Sequence, residues 1–207
     1  MNALKQNNLP MRRRLMDLLT PHVRVAALTD LSLSWLRSLG ITGLLFDLDN
    51  TILGYRESTP TQAMQAWIRR AQEDGFKVCL LSNARNKRLS IHANILQISM
   101  VGAAQKPRRR ALRKALSLMG LTPSETAMIG DQVFTDVLVG NRLGLFTVLV
   151  TPIAQRDGWL WMPAIRKLER WLVRHTPDRV SFLEDEAETE ERGSEASASK
   201  VRGLLDL

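Results

Sequence analysis

Short apolar runs alternate with stretches of helical periodicity through the middle of the chain. Residues 43–46, 77–81, 98–101, 126–129 and 145–150 are the apolar runs and read as strands, while 61–73, 86–96, 107–119 and 135–142 read as the helices between them. Two shorter helices precede this series, one over 11–19 that Thr20-Pro21 ends and one over 31–39 that Gly40 closes. An amphipathic helix over 163–174 follows it, bounded by Pro177. Near-continuous apolar strands separated by helices predict an α/β fold, a Rossmann-like, doubly wound parallel sheet of about five strands flanked by helices. The expected organisation is an N-terminal helical lead-in over 1–42 packed on the core, a single domain over 43–177, and a tail over 178–207.

Composition sharpens this division. With 207 residues and 44% hydrophobic positions the chain can bury one sizeable core. Its net charge is +8, but residues 178–207 hold nine acids against four bases, so the tail carries −5 and the rest +13. A basic body favours anionic partners: nucleic acid, lipid headgroups or phosphorylated substrates. Beyond Leu183 the chain is rich in Glu, Ser, Ala and Gly, a composition that predicts disorder. Cys79 is the one cysteine, which excludes an intrachain disulfide and suits a reducing compartment. No stretch is apolar for long enough to span a bilayer, and the N-terminus lacks the apolar centre of a secretory signal. The expectation is a cytoplasmic or organellar matrix or stromal protein. Met11-Arg12-Arg13-Arg14 is compatible with a targeting segment, although a solvated basic helix start is the commoner explanation.

Several strands end in polar groups. Gly43-Leu44-Leu45-Phe46 runs into Asp47-Leu48-Asp49-Asn50-Thr51, strand 77–81 into Ser82-Asn83, the next into Lys106-Pro107, and strand 126–129 into Gly130-Asp131 with Asp136 beyond. In a doubly wound sheet these ends share one edge, where ligands bind. Asp47 and Asp49 have the same parity and point to one side if the chain stays extended. Carboxylates are too costly in an apolar interior to be gathered there without a metal, donors or water.

The order and spacing of these residues resemble the haloacid dehalogenase (HAD) superfamily: Asp-x-Asp-x-Thr at 47 to 51, Ser82, Lys106, and Gly-Asp-x-x-x-x-Asp at 130 to 136. The resemblance implies that Asp47 is a nucleophile forming an aspartyl phosphate and that Asp49 protonates the leaving group and then activates water. It implies Mg²⁺ held by Asp47, the Asp49 backbone carbonyl and Asp131, with Asp136 ordering the metal shell or Lys106. Thr51, Ser82, Asn83 and Lys106 would bind the phosphoryl group, and Arg142 would support the last motif or bind substrate. The second aspartate favours a phosphatase or phosphomutase over dehalogenase or ion-pump branches. Insertions at 51–75 and 82–106 are too short for a domain with its own core, so a capless HAD fold with an open site is expected.

A narrower likeness runs from about Leu18 to about Trp171. Gly130 to Gly144, Trp67-Ile68, Ser82-Asn83 and Leu168-Glu169-Arg170 resemble the YqeG family of subclass IIIA phosphatases. Related mitochondrial and plant enzymes are phosphatidylglycerophosphate phosphatases, which makes an anionic phospholipid the implied substrate and peripheral contact with a membrane surface compatible. Two departures are Trp159 to Arg166, where relatives often show Thr-Arg-x-Asn-Arg, and Ala84-Arg85 after Ser82-Asn83.

Other readings stay open. The basic run Lys106-Pro107-Arg108-Arg109-Arg110 with Arg113 and Lys114 suits a nucleic-acid end or a phosphoprotein as substrate, and equally a solvated helix face. Trp159, Trp161 and Trp171 beside Lys167, Arg170 and Arg174 suit an interfacial patch, although docking on the sheet is the commoner fate of such a helix. A non-enzymatic adaptor binding anionic lipid or RNA is the third reading, and the intact set of mutually repelling acids argues against it. His22, His92 and His175 show no metal-ligand spacing. Sequence gives no oligomeric state.

Overall fold

The strands pair in the order β1-β6-β5-β2-β3-β4, and every pairing is parallel. They are β1 (Val23–Val25), β2 (Gly43–Phe46), β3 (Lys77–Leu81), β4 (Ser99–Val101), β5 (Thr126–Gly130) and β6 (Phe146–Val150). The helices are α1 (Met11–Leu19), α2 (Leu33–Ser38), α3 (Gln62–Glu73), α4 (Asn86–Leu96), α5 (Arg109–Met119), α6 (Leu138–Leu143) and α7 (Met162–His175). This computed structural model describes residues 11–54, 57, 59–83, 86–153, 162–176, 179 and 180. The acidic tail beyond 180, Trp159, Trp161 and Ala84-Arg85 lie outside the described residues.

The sheet has six strands, one more than the apolar runs predict. Val23-Arg24-Val25 is only three residues long and pairs along β6 at the sheet edge, Val23 beside Val148 and Val25 beside Val150. The segment before β2 therefore supplies a strand as well as helices.

Side-chain alternation divides the core into two layers. Leu44, Phe46, Val78, Leu80, Ile129 and Val148 face α2, α3 and α4, whereas Leu45, Cys79, Leu81 and Met128 face α5 and α6. Both faces are covered, which explains why the strands read as unbroken apolar runs. Cys79 is fully buried, and burial pushes its thiol up to about 12, the behaviour of a small core residue. Gly140 lets α6 approach closely: a Cβ there would lie 2.5 Å from Thr147 Cγ2.

From β2 the chain winds outward through β3 to β4, then returns across the sheet to place β5 on the other side of β2. The reversal lies between β2 and β5, so their carboxyl ends flank the crevice where open α/β sheets bind ligands. Among the described residues, the β2–β3 crossover carries no regular element beyond α3 and the β3–β4 crossover none beyond α4. The edge is open.

The N-terminal segment is fastened near His22 and Asn141. Asn141 Nδ2 donates to the carbonyls of Leu18 and Thr20, each at 2.9 Å, and its Oδ1 accepts from Thr147 Oγ1 at 3.0 Å. These bonds satisfy carbonyls at the end of α1 that the helix itself leaves unpaired. His22 Nδ1 accepts the Thr147 amide hydrogen at 3.1 Å, which assigns a neutral ring protonated at Nε2. Burial, with the nearby Arg179 charge, lowers its pKa from 6.5 to about 4.

Because the unfolded chain takes up this proton first, its contribution is intact above about pH 6.5 and is lost as pH falls toward 4. After discounting for the partly exposed ring, the loss should be on the order of 1–2 kcal/mol. Urea unfolding at pH 7 and pH 4.5 should show a smaller pH difference for His22→Gln than for the wild type.

Candidate active site

β2 ends at Phe46, and the next residue turns a carboxylate into the crevice. The Asp47 amide still bonds the Ile129 carbonyl at 2.9 Å, so Asp47 is held by the sheet although its side chain has left it. Beyond Asp49 the chain does not stay extended. Asn50 is left-handed at φ 62°, its amide bonds Leu53 O at 2.7 Å, and Ile52 and Leu53 both bond back to Leu48 O. Asn tolerates this conformation better than most residues. The turn buries Thr51 to 1% exposure and leaves Asp49 only half-buried.

Three buried carboxylates converge there. Asp47, Asp131 and Asp136 each offer an oxygen within 4.8 Å of the others. The side chain of Asp49 is outside this set. Asp131 follows β5 directly, while Asp136 is carried on a π-helical turn, Val133–Val137, that precedes α6. In that turn the amides of both Asp136 and Val137 bond the Gln132 carbonyl, at 2.9 and 3.3 Å. The wider turn brings Asp136 back over Gly130.

Gly130 is required by that approach: a Cβ would sit 2.3 Å from both Cγ and Oδ2 of Asp136. Gly130→Ala must therefore displace the Asp136 carboxylate. It should lower phosphatase kcat/KM by about 10²-fold, the scale of an ångström-sized misplacement, with far-UV circular dichroism unchanged.

Lys106 enters from the loop after β4. Its Nζ donates to Asp47 Oδ1 and Asp136 Oδ1, both at 2.6 Å. The loop is held in an unusual shape, with Ala103 and Gln105 at φ 48° and 49°. Such conformations cost on the order of 1 kcal/mol each. Ala104 N–H to Ser82 O at 3.0 Å and Lys106 N–H to Asn83 Oδ1 at 2.8 Å hold it in place. Asn83 is exposed, and its carbonyl oxygen serves this loop; Ser82 is buried beside it.

The charges do not balance. Burial, partly offset by Lys106 and reinforced by Asp136 and Asp131, raises the Asp47 carboxyl to about 8. Burial also opposes charge on Lys106, but Asp136 and Asp47 outweigh it and hold the ammonium above its ordinary range. One group favours protonation of the pair and the other its ionisation. The cluster's composition explains both: three carboxylates surround one ammonium, and Asp47 is where the excess is relieved. A divalent cation among the carboxylates would balance the charge, and an all-oxygen donor set suits a hard cation. The residues thus fit a metal.

Asp47, Lys106, Asp131 and Asp136 are brought together at the β2–β5 reversal, with Ser82, Asn83 and Thr51 in the adjoining loops. Arg142 is not. It is exposed in the last turn of α6, which leads back to the start of β6 at the opposite edge of the sheet. In the Gly140-Asn141-Arg142 triplet the structural ties belong to Asn141. One residue at the site edge has no signature among the four motifs: Glu169 of α7 is buried and its Oε1 accepts the Phe134 amide at 3.1 Å.

Residues 103–160 match the HAD-hydrolase-like family model. Over 125 residues the chain is 35% identical to the probable phosphatase YqeG of Bacillus subtilis (strain 168), covering 60% of this chain and 73% of that protein. The chain belongs to the YqeG family of HAD-type phosphatases. It is accordingly a phosphomonoester hydrolase acting on a phosphorylated substrate. Among other family relatives, phosphatidylglycerophosphate phosphatase 1 of Arabidopsis thaliana, chloroplastic/mitochondrial, is 29% identical over 167 residues, 73% of this chain and 48% of that protein. The chloroplastic phosphatidylglycerophosphate phosphatase 1 of Chlamydomonas reinhardtii is 25% identical over 170 residues, 77% of this chain and 63% of that protein. The chain thus spans about half to two thirds of these two algal and plant relatives.

Proposed function

We propose that the protein is a Mg²⁺-dependent phosphatase that removes the terminal phosphate of phosphatidylglycerophosphate through an aspartyl-phosphate intermediate. The observation that carries the metal-dependent mechanism is the buried Asp47–Lys106–Asp131–Asp136 cluster. Asp47, Asp131 and the Asp49 backbone carbonyl would hold the cation, with Asp136 beside them. When bound, the cation offsets phosphate charge and keeps Asp47 ionised at neutral pH. Asp47 attacks phosphorus; half-buried Asp49 gives a proton to the departing alkoxide and later takes one from the attacking water. Lys106 bridges Asp47 and Asp136, orienting the nucleophile and offsetting the charge gathered by the phosphoryl oxygens. Ser82, Asn83 and Thr51 complete the phosphate-facing loops.

Two surface features support an anionic lipid as substrate. Arg109, Arg110, Arg113 and Lys114 are exposed along α5, which starts three residues after Lys106. Arg109 and Arg110 occupy the first helical turn, where the macrodipole disfavours cations by about 0.3–1 kcal/mol each. A helix selected for stability alone would carry acids there; attraction of an anion gives the arginines a use. On α7, Leu168 and Trp171 are 49% and 51% exposed, flanked by exposed Lys167 and Arg174. Apolar and basic groups together suit an anionic bilayer. Among the described residues no helix is long and apolar enough to cross a membrane, so contact through this patch would be peripheral.

The test is a substrate panel with purified protein and Mg²⁺: phosphatidylglycerophosphate in mixed micelles, a 5′-phosphorylated oligonucleotide, a phosphopeptide and a sugar phosphate. Phosphatidylglycerophosphate should be hydrolysed with the highest kcat/KM. A higher value on the oligonucleotide or phosphopeptide would replace the lipid with that substrate.

A further inference from the structure

A carboxylate from outside the four motifs holds the segment that carries two of the three clustered acids. Glu169 lies on α7 and is 5% exposed, yet it faces a backbone amide of another element: its Oε1 accepts the Phe134 N–H at 3.1 Å. Phe134 stands between Asp131 and Asp136, in the first turn of the π-helical stretch.

Beyond the Glu169 bond, the stretch is tied outward at Asp136, whose Oδ1 accepts from Lys106 Nζ at 2.6 Å, and its other bonds are internal. Asp136 and Val137 donate to Gln132 O, Gln132 N–H donates to Asp136 Oδ2 at 3.3 Å, and Thr135 Oγ1 donates to Gln132 Oε1 at 3.3 Å. The internal bonds give the turn its shape, while Val133 and Val137 pack it against Leu19, Leu149 and Leu172 and Lys106 holds its far end at Asp136. The Glu169 bond adds a directional tie at the start of the turn, between the two acids, on one of the amides that a helix start leaves without an intrahelical acceptor. A carboxylate is also the side chain favoured by the dipole there.

Docking α7 does not require this charge. Leu172, on the same helix, already packs with Val133, Val137, Leu149 and Leu19. Burying a carboxylate merely to hold a helix would be a poor exchange for another apolar residue. A carboxylate aimed at the turn between two candidate metal ligands has a more specific use.

We infer that Glu169 is a positioning residue: by fixing the Phe134 amide it sets where Asp131 and Asp136 stand, and hence how tightly the site holds a divalent cation. This rests on the metal-dependent reading above. Partners of this kind, one bond removed from the ligands, typically change metal affinity by about 10–100-fold.

Mn²⁺ alone, followed through the loss of the free-ion paramagnetic resonance signal, tests the inference without turnover. The wild type should bind Mn²⁺ and Asp131→Asn should not. Glu169→Met, which keeps the volume and removes the acceptor, should weaken Mn²⁺ binding by about tenfold or more. Glu169→Asp, one methylene shorter, should also weaken it, whereas Glu169→Gln, whose amide oxygen still accepts, should stay near wild type. Leu172→Ala should lower the melting temperature and leave Mn²⁺ affinity unchanged. In turnover, Glu169→Met should need more metal but recover kcat at saturation. Wild-type Mn²⁺ affinity in both Glu169→Met and Glu169→Asp would overturn the inference, as would an equal loss in Leu172→Ala. A wild type that binds no Mn²⁺ would instead remove the metal reading, and this inference with it.

Discussion

Asp47→Asn should lower phosphatase turnover by at least about 10³-fold, the scale seen when a nucleophile is removed, while the protein stays folded. The stability half follows from the site itself. Asp47 is 5% exposed, and desolvation together with two other carboxylates makes its charge unfavourable, Lys106 only partly compensating. An amide of the same shape removes that charge and leaves Lys106 paired with Asp136. In metal-free protein the raised Asp47 pKa means that the folded state holds a proton which the unfolded chain releases near pH 3.8, so stability should fall as pH rises from there toward 8. Asp47→Asn should flatten that decline. Melting temperatures measured from pH 5 to pH 8 in the presence of a chelator, alongside kinetics with Mg²⁺, check both halves. Appreciable turnover by Asp47→Asn would rule out its role as nucleophile.

Lys106→Met should be the more damaging substitution to stability. Its ammonium bridges two buried carboxylates at 2.6 Å, and Asp131 lies within the same cluster. Removing one member of a buried ion pair leaves an uncompensated charge, with a cost of about 3–5 kcal/mol. Guanidinium unfolding of metal-free protein should show a loss of that size, and Asp136→Asn in the same chain should restore part of it by removing one of the stranded acids. Added Mg²⁺ should also recover stability for Lys106→Met, since the cation replaces the missing positive charge. Activity should stay depressed by about 10²-fold or more even then, because charge stabilisation at the phosphoryl group is lost. A Lys106→Met protein as stable as wild type would show that the four charges do not interact as their geometry requires.

The parallel sheet was legible in sequence because strands buried on both faces are apolar without interruption, and the residues after them stand out by contrast. Asp47, Lys106, Asp131 and Asp136 were recognisable for that reason, each following a strand that fixes its edge. β1 was not, since Val-Arg-Val carries no length and its pairing with β6 joins segments far apart in the chain. The common parity of Asp47 and Asp49 gives no sign that β2 stops at Phe46 or that the chain turns left-handed at Asn50, just after the second aspartate. The π turn that carries Asp136 leaves the same apolar spacing as an ordinary helix start. Arg142 stands exposed in the last turn of α6, a placement its position beside the last motif does not reveal. Glu169 was visible only as part of Leu168-Glu169-Arg170. The bond it makes at the site edge is to the Phe134 amide, and a backbone donor leaves no pattern of side chains to find.

Rapid acid quenching of a turnover with Mg²⁺ and a ³²P-labelled phosphomonoester is the most direct measurement of how this site works. Label should appear on the peptide containing Asp47 as an acyl phosphate cleaved by hydroxylamine, and it should rise and decay at rates that account for phosphate release. Full-rate phosphate release with no label on Asp47 at any time would contradict the aspartyl-phosphate mechanism.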